Sequence, residues 1–343
     1  MTRAILNAVG VAGWMCAAGV HAQSSVTLYG LVDAGIQYRT HADGQHSAVN
    51  LQNYGVLPSQ IGLTGTEDLG SGLQAIFRLE QGINTNDGTA TVPGNAFFRG
   101  AYVGLRGKFG TLTVGRQFSV LFDRTVFYDP LLYAGYGGQG VLMPLTANFI
   151  DNSVKFNSVD YGGFSADALA AAGGVAGNSR SGRVLEIGAQ YSGNGYGVSA
   201  ALHRAQGTAS ANVDTSGLQQ TIGTLATHWD MAKLSLYGGA ERQTGSLAPS
   251  KTVAWGGARY QFDPFFGLAG GIYKTWSPTP TIGHPTLFIA SGTYALSKRT
   301  VAYLNLGYSR NSSQSSQPVY EYDSTALNGA SQFSTMVGMY HTF

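Results

Sequence analysis

Three stretches of the chain alternate apolar and polar residues with a period of two. In SVTLYGLVDAGIQY, Val26, Leu28, Val32, Ala34 and Ile36 share one parity, and Thr27, Asp33 and Gln37 the other. In LQAIFRLEQ, Leu73, Ala75, Phe77 and Leu79 oppose Gln74, Arg78 and Glu80. In SQFSTMVGMYHTF, Phe333, Val337, Met339 and Phe343 fall on one parity. Alternation of this kind sends the two sets to opposite faces of a strand. Each run is about ten residues long, the length of a tilted strand that crosses a bilayer. A charge opposite an apolar face suits a sandwich exterior or a wet barrel interior equally, so no single strand decides.

The connections discriminate better. Short ones fall at Asp68–Gly72, Lys108–Gly110, Tyr161–Gly163, Asn194-Gly195, Asp230-Met231, Asp263-Pro264 and Ser297–Arg299. They carry the Gly, Asn, Asp or Pro that tight turns require, with Asn-Gly the strongest hairpin signal. Longer segments alternate with them, at Arg39–Tyr54, Gly82–Asn95, Gln117–Ile150, Gly173–Gly182, Gly207–Gly217, Thr244–Ser250, Ser277–Pro285 and Asn311–Ala330. Seven short and eight long connections imply sixteen strands with both chain ends on the short-turn side. Even strand number and this loop asymmetry are features of outer-membrane barrels. Aromatics flank the turns, as Tyr191 and Tyr196, Trp229, and Phe262, Phe265 and Phe266 do, in the manner of an interfacial girdle.

The segment Gln117–Ile150 is the exception to the period. It holds two prolines, a glycine run and many aromatic and aliphatic residues. Connections beyond about 12–15 residues are usually functional or disordered, and this one is too apolar for a solvated tail. It reads as a loop folded into a barrel and narrowing its bore.

Composition narrows the class. Only 11% of the 343 residues are charged, the net charge is +2, and there are 49 glycines, 19 tyrosines and 16 phenylalanines. Soluble domains carry about 25% charge, and a near-neutral chain has no general pull toward nucleic acid. Residues 1–22 read as a secretory signal peptide: Arg3 is the basic start, Ala8 to Val20 the apolar core, and Val20-His21-Ala22 the cleavage site. The barrel then occupies 23–343. The one cysteine, Cys16, lies in the leader, so the mature chain has neither disulfides nor thiol chemistry.

With these elements in place, SSVTLYGLVDAGIQY, GTEDLGSGLQAIFRLE, FFRGAYVGLRGKFGTLTVGRQ, NSVKFNS, YALSKRT and the terminal MYHTF resemble the general diffusion porins of Gram-negative bacteria, β-proteobacterial type. The resemblance runs from about Ser24 to Phe343. It implies an all-β, sixteen-stranded antiparallel transmembrane barrel whose third external loop folds into the pore. It also implies an outer-membrane homotrimer, passive diffusion of small hydrophilic solutes and ions, and contact with outer-membrane lipid. By the same resemblance, Asp123 and Asp129 are acidic loop residues of a constriction, Arg99 is a wall arginine, and terminal Phe343 is the signal read by the outer-membrane assembly machinery. Gln60 and Phe149 stand where that family commonly has arginines, which implies only weak charge selectivity.

Other residues enter as pore-lining candidates. Asp33, Arg78, Glu80 and Lys155 occupy polar parities, and ionisable residues at membrane depth normally face a cavity. Arg116 shares parity with Leu112 and Val114, so it reaches the lumen only where that strand ends. Gly135 to Gly140 formally fits GxGxxG but has no βαβ context. His41, Asp43 and His46 read as exposed polar residues rather than a metal site, and no cofactor is implied. Two other classes compete: an outer-membrane barrel enzyme (a protease or phospholipase), and a soluble secreted all-β binding protein. The histidines offer the first no convincing catalytic set.

Overall fold

The computed structural model describes residues 25–138, 147–209, 213–323 and 327–343. The leader, Cys16 and the last glycine of the GxGxxG match lie outside them. The first strands are β1 (Ser25–Arg39), β2 (Ala48–Gln52), β3 (Gln60–Gly70), β4 (Leu73–Gly82), β5 (Gly100–Gly107) and β6 (Gly110–Phe118). A short helix, α1 (Val120–Thr125), and a single 3₁₀ turn (Val126–Tyr128) follow. Next come β7 (Phe149–Ser158), β8 (Phe164–Ala171), β9 (Val184–Gly193), β10 (Tyr196–Gln206), β11 (Gln219–Met231) and β12 (Leu234–Gly245). The set closes with β13 (Lys251–Gln261), β14 (Phe266–Trp276), β15 (Thr286–Ala295), β16 (Thr300–Arg310) and β17 (Gln332–Thr342).

All pairings are antiparallel and, apart from the closing seam, join neighbours along the chain. The seam is made by β1, with β17 on one side and both β2 and β3 on the other. Strands β2 and β3 therefore share one position in the wall, which gives a closed barrel of sixteen staves. The segment Arg39–Tyr54 expected as loop contains β2, because Ala48–Gln52 continues the pairing along the far end of β1. Between β2 and β3 the chain leaves the wall over 53–59, turning at Tyr54 with φ +64°.

The polarity of the wall is inverted relative to a soluble protein. Val26, Leu28, Val32 and Ile36 are exposed while Asp33 and Gln37 are buried. At the other edge of the seam Phe333, Val337 and Met339 are exposed, and Ser334 and Met336 are buried. A closed sheet satisfies every strand N–H and C=O internally, which suits such a surface to lipid. Phe109, Tyr161, Phe164, Tyr191, Trp229 and Phe265 stand exposed at the short-turn end, the aromatic band expected there.

Phe343 lies just past the last strand. Its N–H donates to the Gly30 carbonyl and its own carbonyl accepts from the Gly30 N–H, both at 3.1 Å. Its ring covers Gly30, where a Cβ would fall 2.2 Å from the ring. Deleting Phe343, or the substitution Gly30→Val, is expected to lower the fraction of folded barrel. Heat-modifiable mobility in detergent electrophoresis reads that fraction, and an undiminished fraction in both variants would show the seam closes without this contact.

Candidate functional site

The connection between β6 and β7 lies against the inward parity of the barrel. Ser119 caps α1, its Oγ accepting the Phe122 N–H at 2.9 Å. The next free N–H, of Val120, donates to Glu186 Oε2 of β9 at 2.6 Å, and Glu186 Oε1 meets His203 Nδ1 of β10 at 2.6 Å. An anionic side chain at the first turn of a helix satisfies a donor the helix cannot. Arg124 pairs with Asp167 of β8, and Ser199 Oγ of β10 donates to the Arg124 carbonyl at 2.6 Å. A glycine makes room for the helix: a Cβ on Gly188 would fall 2.6 Å from Val120 Cγ1.

Beyond α1 the chain continues past β13 and β14. Trp255 Nε1 donates to the Tyr128 carbonyl at 3.0 Å, and Arg259 Nε to the Pro130 carbonyl at 2.6 Å. Pro130 rests over Gly257 and Gly271. The chain then meets β17 and the 53–59 excursion. Tyr136 Oη lies 2.6 Å from Ser334 Oγ of β17, and the Tyr54 hydroxyl donates to the Tyr133 carbonyl. The Glu321 N–H, from the last long connection, donates to the Gly135 carbonyl at 3.2 Å. Leu132 and Tyr133, both at φ +55°, make the bend between the two sets of contacts.

Two cavities flank this crossing. One, of about 500 Å³, is lined by Gln60, Phe98, Arg99, Phe118, Asn148 and Phe149 among others. The second, of about 380 Å³, includes Lys233, Ser235, Arg259 and Asn305. The first reaches Asn84 and Thr91 of a long connection, and the second Ala232 of a short turn. Leu132 lines both.

The residues singled out in the sequence divide sharply. Arg99, Gln60 and Phe149 converge on the first cavity. Arg99 Nε donates to Glu80 Oε1 at 2.8 Å, and its guanidinium lies 5.4 Å and 5.6 Å from the ring centres of Phe118 and Phe149. Glu80, itself buried, also accepts from Tyr29 Oη at 2.5 Å and lies 3.9 Å from Arg78. That wall cluster carries two cations and one anion.

The acidic residues do not oppose Arg99 across open space. Asp123 pairs with Lys155, whose Nζ also donates to the Phe118 carbonyl at 2.9 Å. Asp129 is fully buried, accepting from the Tyr133 N–H at 2.7 Å and from the Tyr273 hydroxyl. Burial raises its carboxyl above the usual carboxylate range, against the pull of those donors. Asp33 is likewise buried and takes the Tyr303 hydroxyl at 2.6 Å with the Val56 and Leu57 N–H groups at 3.0 and 3.1 Å. It holds the 53–59 excursion to the wall. Arg116 stays within its strand, which runs on to Phe118 through a register shift at Gly115/Gln117. Its guanidinium bonds the Phe98 carbonyl and Asp151, each at 2.5 Å, and covers the Phe98 and Phe149 rings. The sequence reading did not single out Lys233, Arg259, Trp255 or Tyr273, whose roles depend on where the crossing segment passes.

Comparison with known proteins agrees with this architecture. The sequence profile described as Gram-negative porin matches residues 8–314. An outer membrane porin protein of Bordetella pertussis is 36% identical over 181 residues, 48% of this chain and 46% of that relative's length. Outer membrane porin protein 32 of Delftia acidovorans is 28% identical over 94% of this chain and 95% of its own length. Among solved structures, the anion-selective porin from Comamonas acidovorans superposes with a TM-score of 0.81 at 25% identity, covering 93% of this chain and all of that one. With sixteen staves, an apolar exterior, a polar interior and a matching profile over most of its length, the chain belongs to the Gram-negative porin family, channel proteins of the outer membrane rather than enzymes.

Proposed function

We propose that the β6–β7 connection is the constriction of a water-filled channel, and that solutes pass from the first cavity, past Leu132, to the second. The observation that carries this reading is the charge of the two cavities. Among the described residues, each charged side chain that lines them is basic: Arg99 in one, Lys233 and Arg259 in the other. The carboxylates of the crossing segment are neutralised by Lys155 or withdrawn from water with Tyr273. Fixed charge in a bore walled by low-dielectric protein acts strongly at short range, so the channel passes small hydrophilic anions in preference to cations. The similarity to the anion-selective porin from Comamonas acidovorans supports the same sign. The working unit is a homotrimer, in line with a solved trimer form of an outer membrane protein of Vibrio cholerae that is 14% identical and alike in fold alone, and Phe343, whose backbone closes the seam against Gly30, is read by the assembly machinery.

Zero-current potential across a planar bilayer in a salt gradient tests the channel and its sign. Arg99→Glu should move that potential toward cation preference and Gln60→Arg the other way, both shifts shrinking as salt rises. If neither substitution moves it at low salt in a folded barrel, these residues do not line the constriction. Semi-native electrophoresis should show a heat-dissociable species near three times the monomer mass, and a monomer under all gentle detergents would remove the trimer.

A pH dependence follows from the last long connection. Asp323 is buried, ion-paired with Arg39 and bonded by Gln37 Nε2 at 3.0 Å; burial raises its carboxyl to about 6. Below that pH it takes a proton and leaves Arg39 uncompensated, so anion preference should rise as pH falls through about 6. Because the folded state favours the proton, the residue's stability contribution is greatest below about 4 and is lost as pH rises through about 6. Asp323→Asn should remove the pH step in zero-current potential; a step that survives belongs to another group.

A further inference from the structure

We propose that the first cavity is a binding subsite for aromatic carboxylates rather than an indifferent stretch of channel. The inference rests on the channel reading and names the solute class that the site selects. Four phenylalanines form one continuous surface there. Phe118 stacks on Phe122 at 4.4 Å with the rings 16° apart, and meets Phe149 at 4.6 Å; Phe149 meets Phe98 at 4.7 Å. Phe98 and Phe149 are buried beneath it, so Phe118 and Phe122, both half-buried, carry the apolar area left toward the cavity, and such area is costly to leave wet in an indifferent aqueous path.

Arg99 stands at the edge of that surface with its orientation fixed twice. Its Nε is held by the buried Glu80 carboxylate, and its backbone N–H donates to the Glu80 carbonyl at 3.1 Å. The Nη groups have no hydrogen-bond partner among the described residues, and Arg99 lines the cavity. A guanidinium clamped through Nε offers its Nη edge to a carboxylate, in the planar geometry that such anions match. Arg78, 3.9 Å from Glu80, offsets the charge of that clamp, so the positive character at the cavity survives the Arg99–Glu80 pair.

Two amides complete the chemistry. Asn148, only 1% exposed, and Gln60 line the same cavity, and Asn148 Oδ1 and Gln60 Oε1 are buried acceptors without a donor among the described residues. Orphaned buried acceptors are uncommon in folded proteins and mark sites that a donor can fill. A rotation of either amide presents that oxygen to an occupant. A cavity of about 500 Å³ also lies within the usual span for small-molecule sites, about 300–1,000 Å³. The occupant with matching features has an anionic carboxylate for Arg99, a flat ring for the phenylalanines, and a ring hydroxyl for an amide oxygen. Benzoate and 4-hydroxybenzoate are the simplest probes.

The test is ion current through the purified protein in a planar bilayer, first in salt alone and then with a carboxylate added. Benzoate should reduce the current saturably, 4-hydroxybenzoate should act at lower concentration, and cyclohexanecarboxylate and acetate should need far higher ones. Phe122→Leu keeps apolar volume but removes a half-exposed aromatic face, and should raise the half-blocking concentration of benzoate about threefold. Arg99→Gln should raise it about tenfold, and substituting Lys298, exposed in a short turn and lining neither cavity, should not. Normal conductance with equal block by benzoate and cyclohexanecarboxylate would overturn the subsite while leaving the channel intact. Unchanged benzoate block in both Phe122→Leu and Arg99→Gln would do the same. No conductance in salt alone would overturn the channel reading, and this one with it.

Discussion

Closure of the hydrogen-bonded wall is the constraint on which everything else in this molecule depends. A sheet facing hydrocarbon leaves no edge N–H or C=O that water can satisfy, so β1 must meet β17 along its whole free length. The seam achieves this with an antiparallel ladder from Leu31↔Thr342 to Arg39↔Ser334, finished by the paired bonds between Gly30 and Phe343. Once the outside is committed to apolar side chains by that closure, the alternate positions fall inside, and the polar half of every strand shares one enclosed volume.

That volume explains why the crossing segment is seated as it is. Glu186, Asp167, Trp255 and Arg259 each need partners at depth, and backbone groups and side chains of 119–130 supply them. Glycines at Gly188, Gly257 and Gly271 leave the space that the segment fills. The wall and the loop are therefore mutually dependent. Within the segment the carboxylates are held, Asp123 by Lys155 and Asp129 by Tyr273, while Arg99, Lys233 and Arg259 line the two cavities.

The strands and their order were legible because the period of two is a local property, and the turns announce themselves by Gly, Asn, Asp and Pro. The long aromatic connection was legible by its length and its lack of period. What the sequence could not disclose is which charge meets which. Asp129 finds Tyr273, 144 positions on, and Asp33 finds Tyr303 at a separation of 270. Neither partner carries a sequence signal, since a tyrosine on an inward parity looks the same whether it is wet or bonded to a carboxylate. The division of one stave into β2 and β3 was hidden for a related reason. Residues 53–59 leave the wall because Asp33, Tyr303 and Asn305 hold them, and all three lie outside the segment.

Phe149 shows how one position can change the charge and polarity of a cavity. A third arginine there would add charge beside Arg99 and Arg116, whose guanidinium groups already lie 5.6 Å from that ring. Three like charges so close would repel one another and hold a shell of water and counterions. The phenyl ring instead gives both cations a π-face and joins Phe98 to Phe118 in one apolar surface. The neighbourhood keeps its positive sign through Arg99 while losing charge density. On the proposal that solutes pass this cavity, an anion here is attracted less strongly by field alone, and its own surface, flat or not, begins to decide how long it stays.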